Sequence, residues 1–265
     1  MDGELRIRVE AEGGEARVVD CYARAPFHYL PVSRRGGGLP LLTLVNSSGG
    51  VLGGDALAIE IALGPGAALS VRNQSATKVY RSARGTARAR CHFRLADGSL
   101  LDYFPEEIIP FGGSDYEQVS RVTLAPRAVA LVAEIVAAGR IERGERFAFT
   151  RLLLDLSCEA EGGGAMLLRD RADLRPAEED VTVESILGDA TVWGSLYLLT
   201  LAELDDGLVE DLDEALRSVD GHAGGVSRAP VGLVGRIAGS SLETVRGALL
   251  AARALALAEL GRSVS

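Results

Sequence analysis

The stretch NSSGGVLGGDALAIEIALGPGAALSVRNQSATKVYRS, residues 46–82, decides the fold class. Two glycine pairs lie near its start, Asp55 follows them, and apolar side chains then occupy every second position from Leu57 to Leu63. Alternation with a period of two is the strand period, and Gly64-Pro65-Gly66 ends the run with a turn signal. The glycines therefore precede a strand and mark a corner at which the backbone bends sharply.

A glycine-rich loop can also bind phosphate, and the residues after the loop test that alternative. A phosphate loop carries Lys and then Ser or Thr directly after its last glycine, and a dinucleotide fingerprint opens a helix. Here the acidic Asp55 follows Gly54, and a strand pattern comes next. Both differences argue against a nucleotide site at this loop.

Most of the first two-thirds of the chain repeats this short alternation. Residues 5–9 and 87–95 are clear cases, and glycine turns such as 13–14, 36–38 and 112–114 separate the runs. Regular short strands with such turns are typical of an all-β sandwich, barrel or solenoid. The further predicted strands are 17–22, 39–45, 57–63, 68–72, 99–104, 118–124, 129–136, 147–158 and 231–236.

The last third of the chain predicts helices. Apolar residues recur at helical spacing from Asp206 to Val219, opposite a face of carboxylates. Ser240-Ser241-Leu242-Glu243 is a capping box, and a second apolar stripe follows it to Leu260. We therefore predict one domain over residues 1–265, with a β scaffold at about 1–200, a helix-containing part at about 205–262 and no linker between them.

Composition excludes several classes of protein. The net charge is −9 over 265 residues, whereas nucleic-acid binders usually carry a basic face. No apolar run reaches the roughly 18–20 residues that span a bilayer, and the acidic start of the chain does not resemble a signal peptide. The three cysteines are far apart, which is typical of reduced core thiols. We therefore expect a cytoplasmic protein that binds neither nucleic acid nor membranes.

Signals for tight metal binding or covalent catalysis are weak. The histidines His28, His92 and His222 form no metal-binding motif, and no Gly-x-Ser-x-Gly nucleophile elbow occurs. Cys91 and His92 are adjacent, but neighbouring side chains of a strand point to opposite faces. Cys91 is therefore interpreted as a core thiol.

The remaining chemical signal is a set of carboxylates beside predicted turns, namely Asp55, Glu106, Glu107, Glu142 and Glu145. Paired carboxylates can act as acid and base, as in glycosidases, and they can hold a divalent cation loosely through oxygen. They can equally cap a turn or pair with an arginine. The residues alone leave these three interpretations open.

Five short motifs, taken in order, resemble the UreD (UreH) family of urease accessory proteins. They read SGGVLGGD at 48–55, GPGA at 64–67, SATKVYRS at 75–82, PEEIIPF at 105–111 and GRIERGERF at 139–147. The resemblance covers nearly the whole chain, although many relatives read QETIPF where this chain has EEIIPF. It implies structural roles for Gly49, Gly50, Gly53, Gly54, Lys78, Tyr80, Arg81, Pro110, Phe111, Arg143, Gly144 and Glu145.

The resemblance also implies a fold and a function. The family fold is mainly β, with stacked, helically wound sheets in a sandwich-like scaffold and two helices on its side. Its members are not enzymes and hold no tightly bound cofactor. They bind apo-urease and UreF, UreF engages the GTPase UreG, and nickel(II) passes in transit through an internal channel to the urease active site.

On this basis Asp55, Glu106, Glu107 and Glu142 are the candidates for a transient nickel path. Oxygen ligands suit transit because His or Cys clusters would hold nickel(II) too tightly. Two alternatives remain. One is an interaction module without a nickel route, in which Asp55 and Glu107 form structural hydrogen bonds. The other is a hydrolase that uses Glu106, Glu107 or Glu142, which needs two carboxyl groups about 5–9 Å apart in one cleft.

Overall fold

The structure is a computed structural model that describes residues 1–13, 15–33, 38–163, 165–217 and 223–263. Gly14, residues 36–37, Val219 and His222, which the sequence analysis discussed, lie outside these ranges. Within the ranges the chain forms seventeen strands, two α-helices and one 3₁₀ turn. The elements are β1 (Asp2–Glu12), β2 (Glu15–Arg24), β3 (Phe27–Ser33), β4 (Leu41–Asn46), β5 (Ala56–Leu63), β6 (Ala68–Asn73), β7 (Thr77–Val79), β8 (Ala87–Leu95), β9 (Leu100–Tyr103), β10 (Ile108–Pro110), β11 (Asp115–Leu124), β12 (Val129–Ala137), the 3₁₀ turn (Ile141–Arg143), β13 (Arg151–Ala160), β14 (Met166–Leu174), β15 (Val192–Thr200), α1 (Asp206–Arg217), β16 (Ala223–Ala229), β17 (Gly232–Gly239) and α2 (Leu242–Ser263).

Strands of two sheets alternate along the chain, which gives the scaffold its wound form. The first sheet has the order β14-β13-β11-β8-β5-β1-β2, and the second has the order β16-β17-β15-β12-β9-β6-β4-β3. From β4 to β13 the longer strands belong in turn to the second and the first sheet, and neighbours within each sheet are parallel. The chain therefore winds as a solenoid, and antiparallel strands flank it.

The main hydrophobic core lies between the two sheets. Leu5, Phe93 and Leu101 are fully buried there, on strands from both sheets. Alternate side chains of each strand point into this space, so the period of two in the sequence places one apolar face inside. Each large side chain buried in this way contributes about 1.5–3 kcal/mol.

A second core lies between the helices and the outer face of the second sheet. Leu212 of α1 and Leu249 of α2 pack with Leu131 and Ile135 of β12. Arg253 of α2 also reaches the fully buried Asp102 of β9. Strand β12 is therefore covered on both faces, because its alternate side chains belong to the two cores.

The predicted mainly β fold with two helices near the C-terminus is confirmed. The predicted strand 87–95 coincides with β8, whereas the predicted strand 147–158 begins later, at Arg151. Phe147 adopts a φ of 52°, which a strand cannot accommodate. The structure also contains strands that the sequence analysis did not propose, among them β3, β14, β15 and β16.

Candidate functional site

A cluster of polar side chains interrupts the core between the sheets. Glu134 is its centre: it lies on β12, is 8% exposed and points into the space between the sheets. We call the group the inner polar cluster, and its members are Cys91 on β8, Tyr103 on β9, Gln118 on β11, Glu134 on β12, Asp170 on β14, and Ser195 and Tyr197 on β15.

Neutral groups hold the Glu134 carboxyl in place. Gln118 Nε2 donates a hydrogen bond to Glu134 Oε1 at 3.1 Å, and Tyr116 Oη donates to Gln118 Oε1 at 3.2 Å. Burial raises the pKa of Glu134 to about 7, and the charge of Asp170 adds to the rise, while the Gln118 hydrogen bond opposes it. Glu134 is therefore a carboxyl group that changes charge near neutral pH.

Two cavities meet at Glu134. The first has a volume of about 80 Å³ and is lined by residues of both sheets, including Cys91, Tyr103 and Gln118. The second has a volume of about 300 Å³ and is lined by Asp170 and Ser195, among others. Glu134 is the one residue that lines both of these cavities.

The second cavity carries a paired carboxylate. Tyr197 Oη donates to Asp170 Oδ2 at 2.9 Å, and the guanidinium of Arg236 on β17 forms an ion pair with the same oxygen. Trp193 and Ile186 form apolar parts of the lining. Asp170 thus enters the cavity with its charge balanced by Arg236.

The first cavity also carries a paired carboxylate. Glu106 lines it and forms a two-pronged ion pair with the guanidinium of Arg246 on α2. Three carboxylates in all line the two cavities within the described ranges: Glu106, Glu134 and Asp170. The outer two are each paired with an arginine, whereas Glu134 between them is held by neutral donors.

Cys91 lines the first cavity but is a poor metal ligand. It is 5% exposed, which confirms its interpretation as a core thiol. Burial raises the pKa of its thiol to about 12, so the thiol stays protonated at neutral pH, whereas metals bind the thiolate. Among the residues that the structure describes, no three His, Cys, Asp or Glu side chains form a group that could hold a metal ion.

Of the four carboxylates chosen from the sequence, Glu106 lines the first of these two cavities, and the other three line neither of them. Asp55 accepts hydrogen bonds from the backbone amide of Leu52 at 2.9 Å and from the amino group of Met1 at 2.6 Å, so it stabilises a turn. Glu107 lies next to Glu106, with its carboxylate 3.8 Å from Arg246 Nη1. Glu142 is exposed on the 3₁₀ turn. Glu106 and Glu107 therefore share Arg246, and Glu106 is the one of the four that lines either of the two cavities.

Several of the motif residues pack together at one corner of the solenoid. Gly54 has a φ of +88°, which favours glycine, and a Cβ on Gly50 would lie 2.4 Å from the Tyr80 ring. The Tyr80 ring meets Phe111 edge to face at 5.0 Å. Glu145 pairs with Arg140 and accepts a hydrogen bond from the Gly112 amide at 3.0 Å. Close packing therefore accounts for Gly50 and Gly53, and a positive φ accounts for Gly49 and Gly54.

Sequence reasoning missed Glu134 and Asp170. The signal for Glu134 was present, because it is the one charged residue in the predicted strand 129–136, which is otherwise apolar. Such a residue either has a buried partner or a chemical role. Asp170 gave no comparable signal, since its strand reads MLLRDRADL and alternates charges with apolar residues.

The structure places the chain in the class of mainly β proteins with a wound scaffold of two sheets, here with a buried polar cluster and two helices on one face. The sequence profile of the family described as UreD urease accessory protein matches residues 1–265. The chain is 35% identical to the urease accessory protein UreD of Haloarcula marismortui over 261 residues, which are 95% of this chain and 84% of that protein. It is 36% identical to the urease accessory protein UreD 2 of a Synechococcus species over 204 residues, 74% of each chain. The chain therefore belongs to the UreD family of urease accessory proteins.

No helix in the described part of the chain is long and apolar enough to cross a membrane.

Proposed function

We propose that this protein is a non-catalytic urease maturation factor of the cytoplasm that passes nickel(II) through the two cavities meeting at Glu134. In this proposal it binds apo-urease and UreF, and UreF connects it to the GTPase UreG as the source of nickel. Nickel is the cargo, and the protein holds no resident cofactor. The observation that carries the proposal is the position of Glu134 in the lining of both cavities.

The chemistry of the lining supports transit of a cation. Several polar groups that line the second cavity with Glu134 offer oxygen atoms, namely the carboxylate of Asp170 and the hydroxyls of Ser195 and Tyr197, and Gln118, which donates to Glu134, carries an amide oxygen. Oxygen ligands bind nickel(II) less tightly than imidazole or thiolate does. A cation can therefore be attracted to this region without being trapped in it.

The distribution of charge along the proposed route distinguishes Glu134 from the two carboxylates that are paired with arginines. Arg246 balances Glu106 on one side, and Arg236 balances Asp170 on the other. Glu134 forms no ion pair with a described residue, so the charge that it gains on ionisation is not balanced by an arginine. A cation near Glu134 also favours the ionised carboxylate, and loading therefore releases a proton.

Urease activation in a reconstituted system tests the proposal. The system contains the cognate apo-urease, UreF, UreG and nickel, with the native chain, Glu134→Gln, or the exposed control Glu142→Gln. We expect Glu134→Gln to lower activation at least about tenfold, which corresponds to about 1.4 kcal/mol, and Glu142→Gln to leave it unchanged. Pull-down with UreF and apo-urease shows whether each variant still binds its partners. Full activation by Glu134→Gln would contradict a route past this residue.

A scaffold without a nickel route is the second candidate, because Asp55 is engaged in structural hydrogen bonds. The same experiment separates the two functions. If the protein acts only as a scaffold, Glu134→Gln will bind both partners and support normal activation. If it carries nickel, the variant will bind both partners and activate poorly.

A further inference from the structure

The motif residues build a surface at one corner of the solenoid, beside the first cavity. Residue Val51 forms a bridge with Val79, and β7 pairs with β10 so that Lys78 lies beside Ile109. The amide of Phe111 then donates to the Val79 carbonyl at 2.9 Å. The 3₁₀ turn contributes Ile141, and Arg140 directly precedes the turn. We call this surface the corner patch; it consists of Leu52, Lys78, Tyr80, Ile109, Phe111, Arg140 and Ile141.

The corner patch combines exposed apolar groups with aromatic rings and an arginine. Leu52 is 56% exposed and Ile141 is 38% exposed. Arg140 stacks over Phe111 with 4.1 Å between the guanidinium carbon and the ring centroid, and its side chain is 34% exposed. Tyrosine and arginine dominate the energetics of protein interfaces, and exposed large apolar side chains add to a contact surface.

Around the corner patch the exposed cationic side chains outnumber the exposed carboxylate of Glu142, although the chain as a whole carries −9. Lys78, Arg81, Arg84 and Arg143 are all exposed, and none of them forms an ion pair with a described residue. Glu145 is already neutralised by Arg140. This arrangement selects a partner with carboxylates around its contact surface, because complementary charge at the rim speeds association and excludes partners of the wrong sign.

The corner patch adjoins the lining of the first cavity. Gly50, Thr77 and Ile108 line the first cavity. Thr77 and Ile108 directly precede the patch residues Lys78 and Ile109, and Gly50 packs against the Tyr80 ring. We propose that the corner patch is the docking surface for a protein partner with a carboxylate-rich contact surface, which it seats beside the first cavity. The proposal rests on the proposed function, since a partner seated there can exchange a cation with the cavity without releasing it to solvent.

Binding without nickel tests the docking surface. The immobilised native chain is titrated separately with cognate apo-urease and with cognate UreF, and the same is done for Lys78→Glu and Ile141→Asp. Each variant has a matched control elsewhere on the surface: Arg8→Glu, at another exposed arginine of the described chain, and Val19→Asp, at a valine that is 43% exposed.

We expect both patch variants to raise the Kd for one and the same partner at least about tenfold. The other partner should bind each variant within about twofold of native, as is usual for surface substitutions, and both controls should bind both partners normally. Added salt should weaken the affected complex more than the other one. Retained binding of the unaffected partner shows that the variants are folded.

Three results would overturn the docking surface: normal binding of both partners by both patch variants, loss of both partners together, or equal losses in the controls. Because nickel is absent, the outcome is independent of the activation experiment. Normal activation by Glu134→Gln would remove the nickel route and leave the docking result as it stands. Normal binding by Lys78→Glu and Ile141→Asp would remove the docking surface and leave the route.

Discussion

The raised pKa of the buried Glu134 carboxyl predicts how the free energy of unfolding changes with pH. Its pKa is about 7 in the folded protein, against an ordinary value of 4.5 that applies to the unfolded chain. Each tenfold change in an ionisation constant corresponds to about 1.4 kcal/mol, so the rise amounts to about 3 kcal/mol. The group is 8% exposed, and solvent screening therefore removes little of this value.

The sign follows from which state holds the proton. Between pH 4.5 and pH 7 the folded state keeps the Glu134 proton and the unfolded state has lost it. Stability therefore falls as pH rises through this window, and the full loss is reached above the folded pKa. Glu134→Gln removes the titration, keeps the shape of the side chain and leaves an oxygen to accept the Gln118 hydrogen bond.

Urea denaturation of the two proteins at about pH 5 and pH 8 measures the effect, and Trp193, the one tryptophan of the chain and part of the second cavity, reports unfolding. We expect the stability of Glu134→Gln relative to native to increase by about 2–3 kcal/mol between the two pH values. The exposed control Glu142→Gln should show no such increase. Parallel pH curves for native and Glu134→Gln would refute the reasoning, because they would mean that the carboxyl is solvated in the folded protein.

Two further substitutions test other parts of the scaffold by thermal denaturation. Arg253→Met removes the α2 partner of the fully buried Asp102, which keeps Arg72, and should cost about 2 kcal/mol, as for a hydrogen bond to a charged group. Arg217→Met, in a more exposed ion pair on α1, should cost less than about 1 kcal/mol, and equal losses would contradict the assignment. Gly139→Ala places a Cβ 2.0 Å from the Glu145 carbonyl oxygen at a φ of +130° and should lower the stability of the fold by at least about 2 kcal/mol. Gly247→Ala, in open space on α2, should raise the stability by about 0.5–1 kcal/mol. Unchanged stability of Gly139→Ala would show that the backbone relaxes there.

The parts of the fold that were predictable from sequence are those in which one face of an element is buried and the other is not. Strand β8 alternates arginine and histidine with buried side chains, so its period of two was visible and its bounds were predicted correctly. Strand β15 is covered by the solenoid core on one face and by α2 on the other. Its sequence is nearly all apolar, and the alternation that identifies a strand is absent.

The pairing of strands could not be predicted, because alternation gives the face of a side chain but not its neighbours in other strands. The candidate site depends on this missing information. Gln118 and Glu134 are sixteen residues apart in sequence, and they meet because β11 and β12 face each other from different sheets. Carboxylates beside turns were therefore the visible candidates, and three of the four serve other purposes or lie outside the cavities.

Two arginines of helix α2 form ion pairs with carboxylates of the β scaffold. Arg246 and Arg253 lie seven residues apart, two helical turns, so they project from one face of α2 toward Glu106 and Asp102. The pairing with Arg246 removes net charge from the lining of the first cavity, as the pairing with Arg236 does in the second. In the proposed route a cation passes carboxylates that are already balanced and reaches Glu134, whose carboxyl loses its proton to an arriving cation or to a rise in pH. Protonation explains how the core tolerates an unpaired carboxyl at rest, since an isolated buried charge would cost far more than a neutral acid.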